Sequence, residues 1–174
     1  MPKQLKILSG KCIGCKSCEL ACSLANEKEM NPNKSRITVL SFIEGKYPLS
    51  SNIPLTCKQC ADAPCLPVCP VDAISRSKDK MKTVVIDGEQ CIGCGKCVGA
   101  CPFGAMLFDK QKKKAFKCEL CKGEPACVSI CPTEAILFIQ QKPFYSKAPA
   151  LEIEGFSILS QRNTGNLPQT KSWK

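Results

Sequence analysis

CIGCGKCVGACP, residues 91–102, is the stretch on which the reading of this chain turns. Cys91, Cys94 and Cys97 lie close together, Cys101 follows after three more residues, and Pro102 ends the run. The same arrangement occurs three more times. CIGCKSCELAC carries Cys12, Cys15, Cys18 and Cys22; CKQCADAPCLPVCP carries Cys57, Cys60, Cys65 and Cys69; CELCKGEPACVSICP carries Cys118, Cys121, Cys127 and Cys131. All 16 cysteines of the 174 residues belong to one of these units. A repeat of this kind governs the fold and is read before any secondary structure.

The spacing has a geometric meaning. Three thiolates on one curled loop face a common centre, and a fourth on the following turn points toward a second one. Gly14, Gly93 and Gly95 permit the tight loop and let backbone amides approach the sulfurs. Pro70, Pro102 and Pro132 fix the backbone after the last cysteine of three units. Ser23 stands at that position in the first unit, which predicts a looser turn there.

Disulfides, zinc sites and iron–sulfur clusters all use cysteine at such density. A disulfide scaffold needs an oxidising compartment. The opening MPKQLKILSG has no apolar run of signal-peptide length, and no stretch reaches the length of a membrane span. The expectation is a cytoplasmic protein with reduced thiols. Zinc ribbons take two ligands from each of two distant C-x2-C knuckles, whereas each unit here adds a third and fourth cysteine close behind. The run C-x2-C-x2-C-x3-C-P is that of bacterial iron–sulfur proteins. The pattern therefore points to four [4Fe–4S] clusters held by all sixteen cysteines. A zinc-binding structural or nucleic-acid-binding protein is the alternative of a different class. Histidine is absent, which removes the commonest general base, mixed Cys/His zinc sites and Rieske-type centres.

The formal charge of +10 suggests a nucleic-acid partner until the cofactor is included. Sixteen thiolates and four oxidised cubane cores bring the loaded chain to roughly +2. The lysine excess is then charge compensation for the metal centres, and no basic surface interleaved with aromatics is present for base stacking. No nucleic-acid partner is expected. Nor does any nucleophile–base pair, phosphate loop or flavin motif accompany the cysteines, so the chain reads as an electron carrier and not an enzyme. Iron with four thiolate ligands is closed to substrate, and one-electron transfer remains.

Between the units run short β patterns. Asp72–Ile74 and Thr83–Asp87 predict one hairpin; Met106–Phe108 and Ala115–Lys117 predict a second; Glu134–Ile139 predicts a further strand. Helix is expected only as single turns around the last cysteine of each unit. Ile13, Ile92, Val98, Leu66, Val68, Val128 and Ile130 read as packing that keeps water from the metal. The tip Asp109–Lys114 reads as a solvated hairpin end, with a docking patch for an acidic partner as the alternative.

Four units in this order, with the second and fourth stretched before their third cysteine, resemble the four-cluster electron-transfer subunits. Those subunits serve dimethyl sulfoxide reductase, formate hydrogenlyase, carbon monoxide dehydrogenase and tungsten-containing aldehyde oxidoreductase. The resemblance covers roughly residues 5–140 and includes Asn31, Pro32, Ser35, Arg36 and Ile37, matching an N-P-x-x-S-R-I stretch of similar proteins. It implies an α+β fold of two fused bacterial-ferredoxin-like modules, with short β-hairpins and few short helices, over residues 1–139. It also implies a nested pairing that spacing alone leaves open. Cluster 1 would be held by Cys12, Cys15, Cys18 and Cys131, and cluster 2 by Cys22, Cys118, Cys121 and Cys127. Cluster 3 would be held by Cys57, Cys60, Cys65 and Cys101, and cluster 4 by Cys69, Cys91, Cys94 and Cys97.

Residues 140–174 fall outside the cysteine pattern and read as an extended C-terminal arm. Phe144, Tyr145, Leu151, Ile153, Phe156, Ile158 and Leu159 would anchor it as a docking strap on a catalytic subunit. The implied partners are a catalytic oxidoreductase subunit and a second electron donor or acceptor. For the first, a tungsten- or molybdenum-pterin aldehyde oxidoreductase or carbon monoxide dehydrogenase suits the short length best. Clusters near both ends of the row would also allow self-association into longer wires. A free-standing polyferredoxin and a cluster-based redox sensor are the rivals within iron–sulfur chemistry.

Overall fold

Residues 3–44 and 49–140 are described by the computed structural model of the chain. The arm expected over 140–174 lies, but for Gln140, outside the described residues.

The two ends of the described chain meet. Strand β1 (Lys3–Ile7) pairs antiparallel with the last strand, β8 (Ile136–Gln140), in the register Leu5↔Phe138 and Ile7↔Ile136. Leu5 and Ile136 are buried by this pairing. Three hairpins lie between: β2 (Ile37–Glu44) with β3 (Leu49–Thr56), β4 (Ile74–Arg76) with β5 (Val84–Ile86), and β6 (Leu107–Asp109) with β7 (Lys114–Phe116). Each sheet has two strands, so every strand keeps one free edge and Pro54 is tolerated in β3. The β4–β5 and β6–β7 hairpins and the strand β8 fall where alternation predicts them. β1 and the β2–β3 hairpin were not expected, although Ile37 and Val39 alternate inward in β2.

Helix content departs from the expectation of single turns. Helix α1 (Ser17–Glu27) has 11 residues, against 5 in α2 (Lys96–Ala100) and 4 in α3 (Ala126–Ser129). The cause is Ser23. Proline inside a helix removes a backbone donor and collides with the preceding turn, and the shorter helices end just before Cys101-Pro102 and Cys131-Pro132. Serine lets α1 run on to Lys28, a left-handed residue whose N–H returns to the Leu24 carbonyl. The looser turn expected at Ser23 is thus corrected: Ser23 is fully buried, its hydroxyl donating to Leu20 O at 3.0 Å and accepting from Asn31 N–H at 3.1 Å. Replacing Ser23 with proline is expected to destabilise the loaded protein by about 3 kcal/mol. A thermal melt unchanged from wild type would contradict this account of α1.

Buried apolar residues fall into two groups. Leu5, Ile37, Val39, Leu120 and Ile136 surround Cys18, Cys22, Cys118 and Cys127. Ile74, Val84, Phe103, Met106 and three alanines surround Cys60 and Cys97. Arg36 ties the groups together, pairing with Glu27 at 3.7 Å and Glu119 at 3.5 Å, while Glu119 also accepts the Ile86 N–H. The lysine-rich tip is less free than a solvated hairpin end. Lys112 pairs with Glu27 of α1 at 2.7 Å and Lys114 donates to the Cys91 carbonyl, because the short β6–β7 turn lies over the third unit's loop.

Candidate metal centre

In every unit the residue before the second cysteine is left-handed: Gly14 (φ 71°), Gln59 (φ 49°), Gly93 (φ 72°) and Leu120 (φ 59°). This conformation curls each C-x2-C segment around a centre. Glycine holds it without strain in the first and third units. A side chain at Gly14 would also strike Asn52 Oδ1 at 2.5 Å, and one at Gly93 would run into the Lys113 carbonyl. Gln59 and Leu120 adopt the same geometry with a side chain, which costs about 1–2 kcal/mol each. Burial offsets this for Leu120, and two hydrogen bonds do so for Gln59. The Gln59 amide donates to Cys118 O at 2.8 Å and accepts from Val84 N–H at 2.8 Å.

The cysteines line cavities. Cys57, Cys60, Cys65 and Cys101 share one of about 380 Å3 with Lys58, Lys117, Phe103 and Met106. Cys69, Cys91, Cys94 and Cys97 share one of about 340 Å3 walled by Ile74, Ile86 and Ile92. Cys12, Cys15, Cys18 and Cys131 share one of about 310 Å3 with Val39, Pro54 and Ile136. Each of these sets draws on two units. The remaining four are also mutual neighbours, since Cys118 and Cys121 both act on the thiols of Cys22 and Cys127. Among the described residues, no three His, Cys, Asp or Glu close on a point as a single ion requires. Four thiols spread around a space instead of closing on one point suit a polynuclear iron–sulfur group.

Burial, first, pushes Cys18 and Cys60 up to about 12 and raises Cys127 further; the next cause is the Glu19 carboxylate for Cys18 and neighbouring thiols for Cys60 and Cys127. Cys57 reaches about 11, its burial partly offset by the Lys117 ammonium. Bare thiols in such surroundings stay protonated at neutral pH, and iron must displace their protons on binding. Hydrogen bonds already aim at some sulfurs. Arg36 N–H lies 3.3 Å from Cys22 Sγ, and Asn26 Nδ2 lies 3.6 Å from Cys22 Sγ and 4.0 Å from Cys121 Sγ. At Cys131, burial raises the thiol, yet the Ala135 N–H at 3.3 Å and Thr133 outweigh it and bring the thiol below its usual range.

The sets adjoin one another in sequence. Cys18 acts on Cys127, Cys118 on Cys57, and Cys97 on Cys65, so each group adjoins the next. Cys15 and Cys94, in the first and last groups, are exposed. Ile13 and Ile92, expected as packing, are 63% and 62% exposed, and Ile130 also faces outward. Ile13 and Ile92 sit on the outer rim of their loops, covering a cavity with one face only. Val98, Leu66, Val68 and Val128 do pack, half-buried. Lys117, Gln59, Asn26 and Arg36 escaped the sequence reading as residues of the site. The one signal for Lys117 was its place directly before Cys118.

A family model described as a 4Fe-4S dicluster domain matches residues 50–141, and one described as a 4Fe-4S binding domain matches residues 9–27. Over 101 residues the chain is 41% identical to the formate dehydrogenase iron-sulfur subunit of Wolinella succinogenes, covering 58% of this chain and 48% of that one. Over 96 residues it is 45% identical to the polyferredoxin-like subunit of an aliphatic sulfonate oxidoreductase of Pyrococcus furiosus, covering 55% and 52%. Over 101 residues it is 41% identical to the electron transport protein HydN of Escherichia coli strain K12, covering 56% and 55%. The match spans about half the length of each of these relatives.

Proposed function

This chain belongs to the 4Fe-4S dicluster domain family, and we propose that it is the electron-relay subunit of an oxidoreductase complex, holding four [4Fe–4S] clusters in a single row. When bound, each cubane takes up and releases one electron. The protein supplies the thiolates, the hydrogen bonds to them, and the apolar walls that keep water away. The observation that carries the reading is the lining of the three cavities, each by four cysteines drawn from two units. The same linings support the nested pairing, with Cys22, Cys118, Cys121 and Cys127 as the fourth set. Residues 1–139 are then the cluster-bearing domain and 140–174 the docking arm.

Catalysis is left to a partner. Iron-sulfur relatives named as subunits of a formate dehydrogenase and of a sulfonate oxidoreductase support a catalytic oxidoreductase subunit as that partner. A tungsten- or molybdenum-pterin aldehyde oxidoreductase or carbon monoxide dehydrogenase remains within that class. A second donor or acceptor would meet the other end of the row, since exposed cysteines lie in both terminal groups. Among the described residues no helix is long and apolar enough to cross a membrane, and the relay is proposed to work in the cytoplasm.

Purification of the full chain without oxygen tests this. About sixteen iron and sixteen acid-labile sulfide per chain are expected, together with a co-purifying catalytic subunit. Removing residues 143–174 is expected to leave the iron content unchanged and to abolish co-purification. A truncated chain that still brings the partner down would refute the docking arm, and zinc without sulfide would refute the relay.

A further inference from the structure

Among the described residues Lys117 is the largest side chain enclosed completely, at 1% exposure. Lysine is rarely so buried unless a carboxylate accompanies it. Among the described residues, none forms an ion pair with Lys117. Its ammonium donates instead to the carbonyls of Val84 and of Cys118, the latter at 3.1 Å. These bonds hold the charge against the cavity lined by Cys57, Cys60, Cys65 and Cys101. The thiols of Cys57 and Cys65 both feel it as a stabilising positive charge.

Among the described residues, the other three groups have no fully buried, unpaired counterpart. The cavity of Cys69, Cys91, Cys94 and Cys97 has no charged residue in its wall, and Lys114, which donates to the Cys91 carbonyl, is only half-buried. Beside Cys18, the buried Glu19 acts with the opposite sign, and the Lys16 that lines that cavity is exposed to solvent. Near Cys22 the Arg36 guanidinium is already paired with Glu27 and Glu119. Lys58 adds to the Lys117 side of the balance, although burial works against its charge, while Asp62 near Cys60 is exposed. A fixed positive charge in a low-dielectric setting favours the more negative state of its neighbour, and here that is the state with one more electron.

We propose that Lys117 makes the cluster at Cys57, Cys60, Cys65 and Cys101 the most easily reduced of the four, so that an electron entering from either end comes to rest inside the row. The proposal builds on the four-cluster reading and adds the order of potentials to it. Lys117 acts as a positioning residue for charge, without being a ligand.

An anaerobic redox titration of the full chain, followed by electron paramagnetic resonance, tests it with Lys117→Met, Lys117→Gln and Lys117→Arg. Glutamine keeps a donor for the two carbonyls without the charge, and arginine keeps the charge. Met and Gln are each expected to lower the highest-potential couple by at least tenfold in the ratio of reduced to oxidised cluster at fixed potential, about 59 mV for one electron. The other couples should hold, and Arg should retain the wild-type value. Fully loaded Met or Gln variants with unmoved couples would overturn the proposal, as would an equal movement of all four. Loss of about four iron in both neutral variants would overturn it too, by making Lys117 a strut of the site. A wild-type chain well short of about sixteen iron fails earlier, and removes the four-cluster reading along with this inference.

Discussion

Removal of iron and sulfide under anaerobic conditions is expected to unfold most of the chain. The reason lies in what the two cores are made of. In the first, four of the nine buried residues are cysteines of the units. In the second, two are such cysteines and three are alanines. What remains without the clusters is a handful of aliphatic side chains, Phe103 and Met106, joined by four two-stranded sheets. Isolated two-stranded hairpins are marginal in water, and a chain of this size has little apolar surface to spare against its conformational entropy. The clusters would fill the cysteine-lined cavities, whose apolar walls otherwise face nothing from the chain. Much of the metal-binding free energy is therefore folding free energy. Near-ultraviolet circular dichroism and amide dispersion in NMR should collapse on stripping and return on reconstitution. A stripped chain with native-like dispersion would show that the apolar residues suffice.

The second large effect concerns which cysteines share a cluster. Replacing Cys22 and Cys127 together with serine is expected to remove about four iron, because both belong to one cluster under the nested pairing. Replacing Cys18 and Cys127 together should remove about eight, since those two then serve different clusters. If each unit instead held its own cluster, both pairs would span the first and fourth units and both would lose about eight. Comparing the two double variants cancels whatever disturbance serine causes locally, as Cys127 is common to both. Equal iron loss in the two would reject the nested pairing. Supporting the expected difference, Cys18 lines the cavity it shares with Cys12, Cys15 and Cys131, whereas Cys118 and Cys121 act on both Cys22 and Cys127.

The chemistry of this protein was legible because it is local. The distance from Cys91 to Cys94 to Cys97 along the chain limits what one loop can surround, and glycine at 14 and 93 marks where the backbone must turn left-handed. The same turn at Gln59 and Leu120 left no mark in the sequence, because there a side chain is held in place by burial and by partners far along the chain. The hairpins β4–β5 and β6–β7 are readable because their strands are neighbours in sequence and sit between cysteine units as short apolar runs; nearness alone did not reveal β2–β3, whose β3 carries Pro54 and polar residues. Strand β1 was not, since its partner β8 lies more than a hundred residues away, as the pair Lys3↔Gln140 shows. Helix α1 depends on one residue, Ser23, whose effect differs from the expected slackness because its half-buried partner Asn31 lies beyond the unit. Lys117 looked like one lysine among many until Val84 and Cys118 enclosed it. Sequence alone determined the kind of metal centre and the number of cysteine units, and it names the sixteen cysteines as the proposed ligands, since short-range spacing dictates those. Tertiary structure decided which units face each other and where an unpaired charge is sealed in, because both depend on contacts between segments that the chain brings together only by folding.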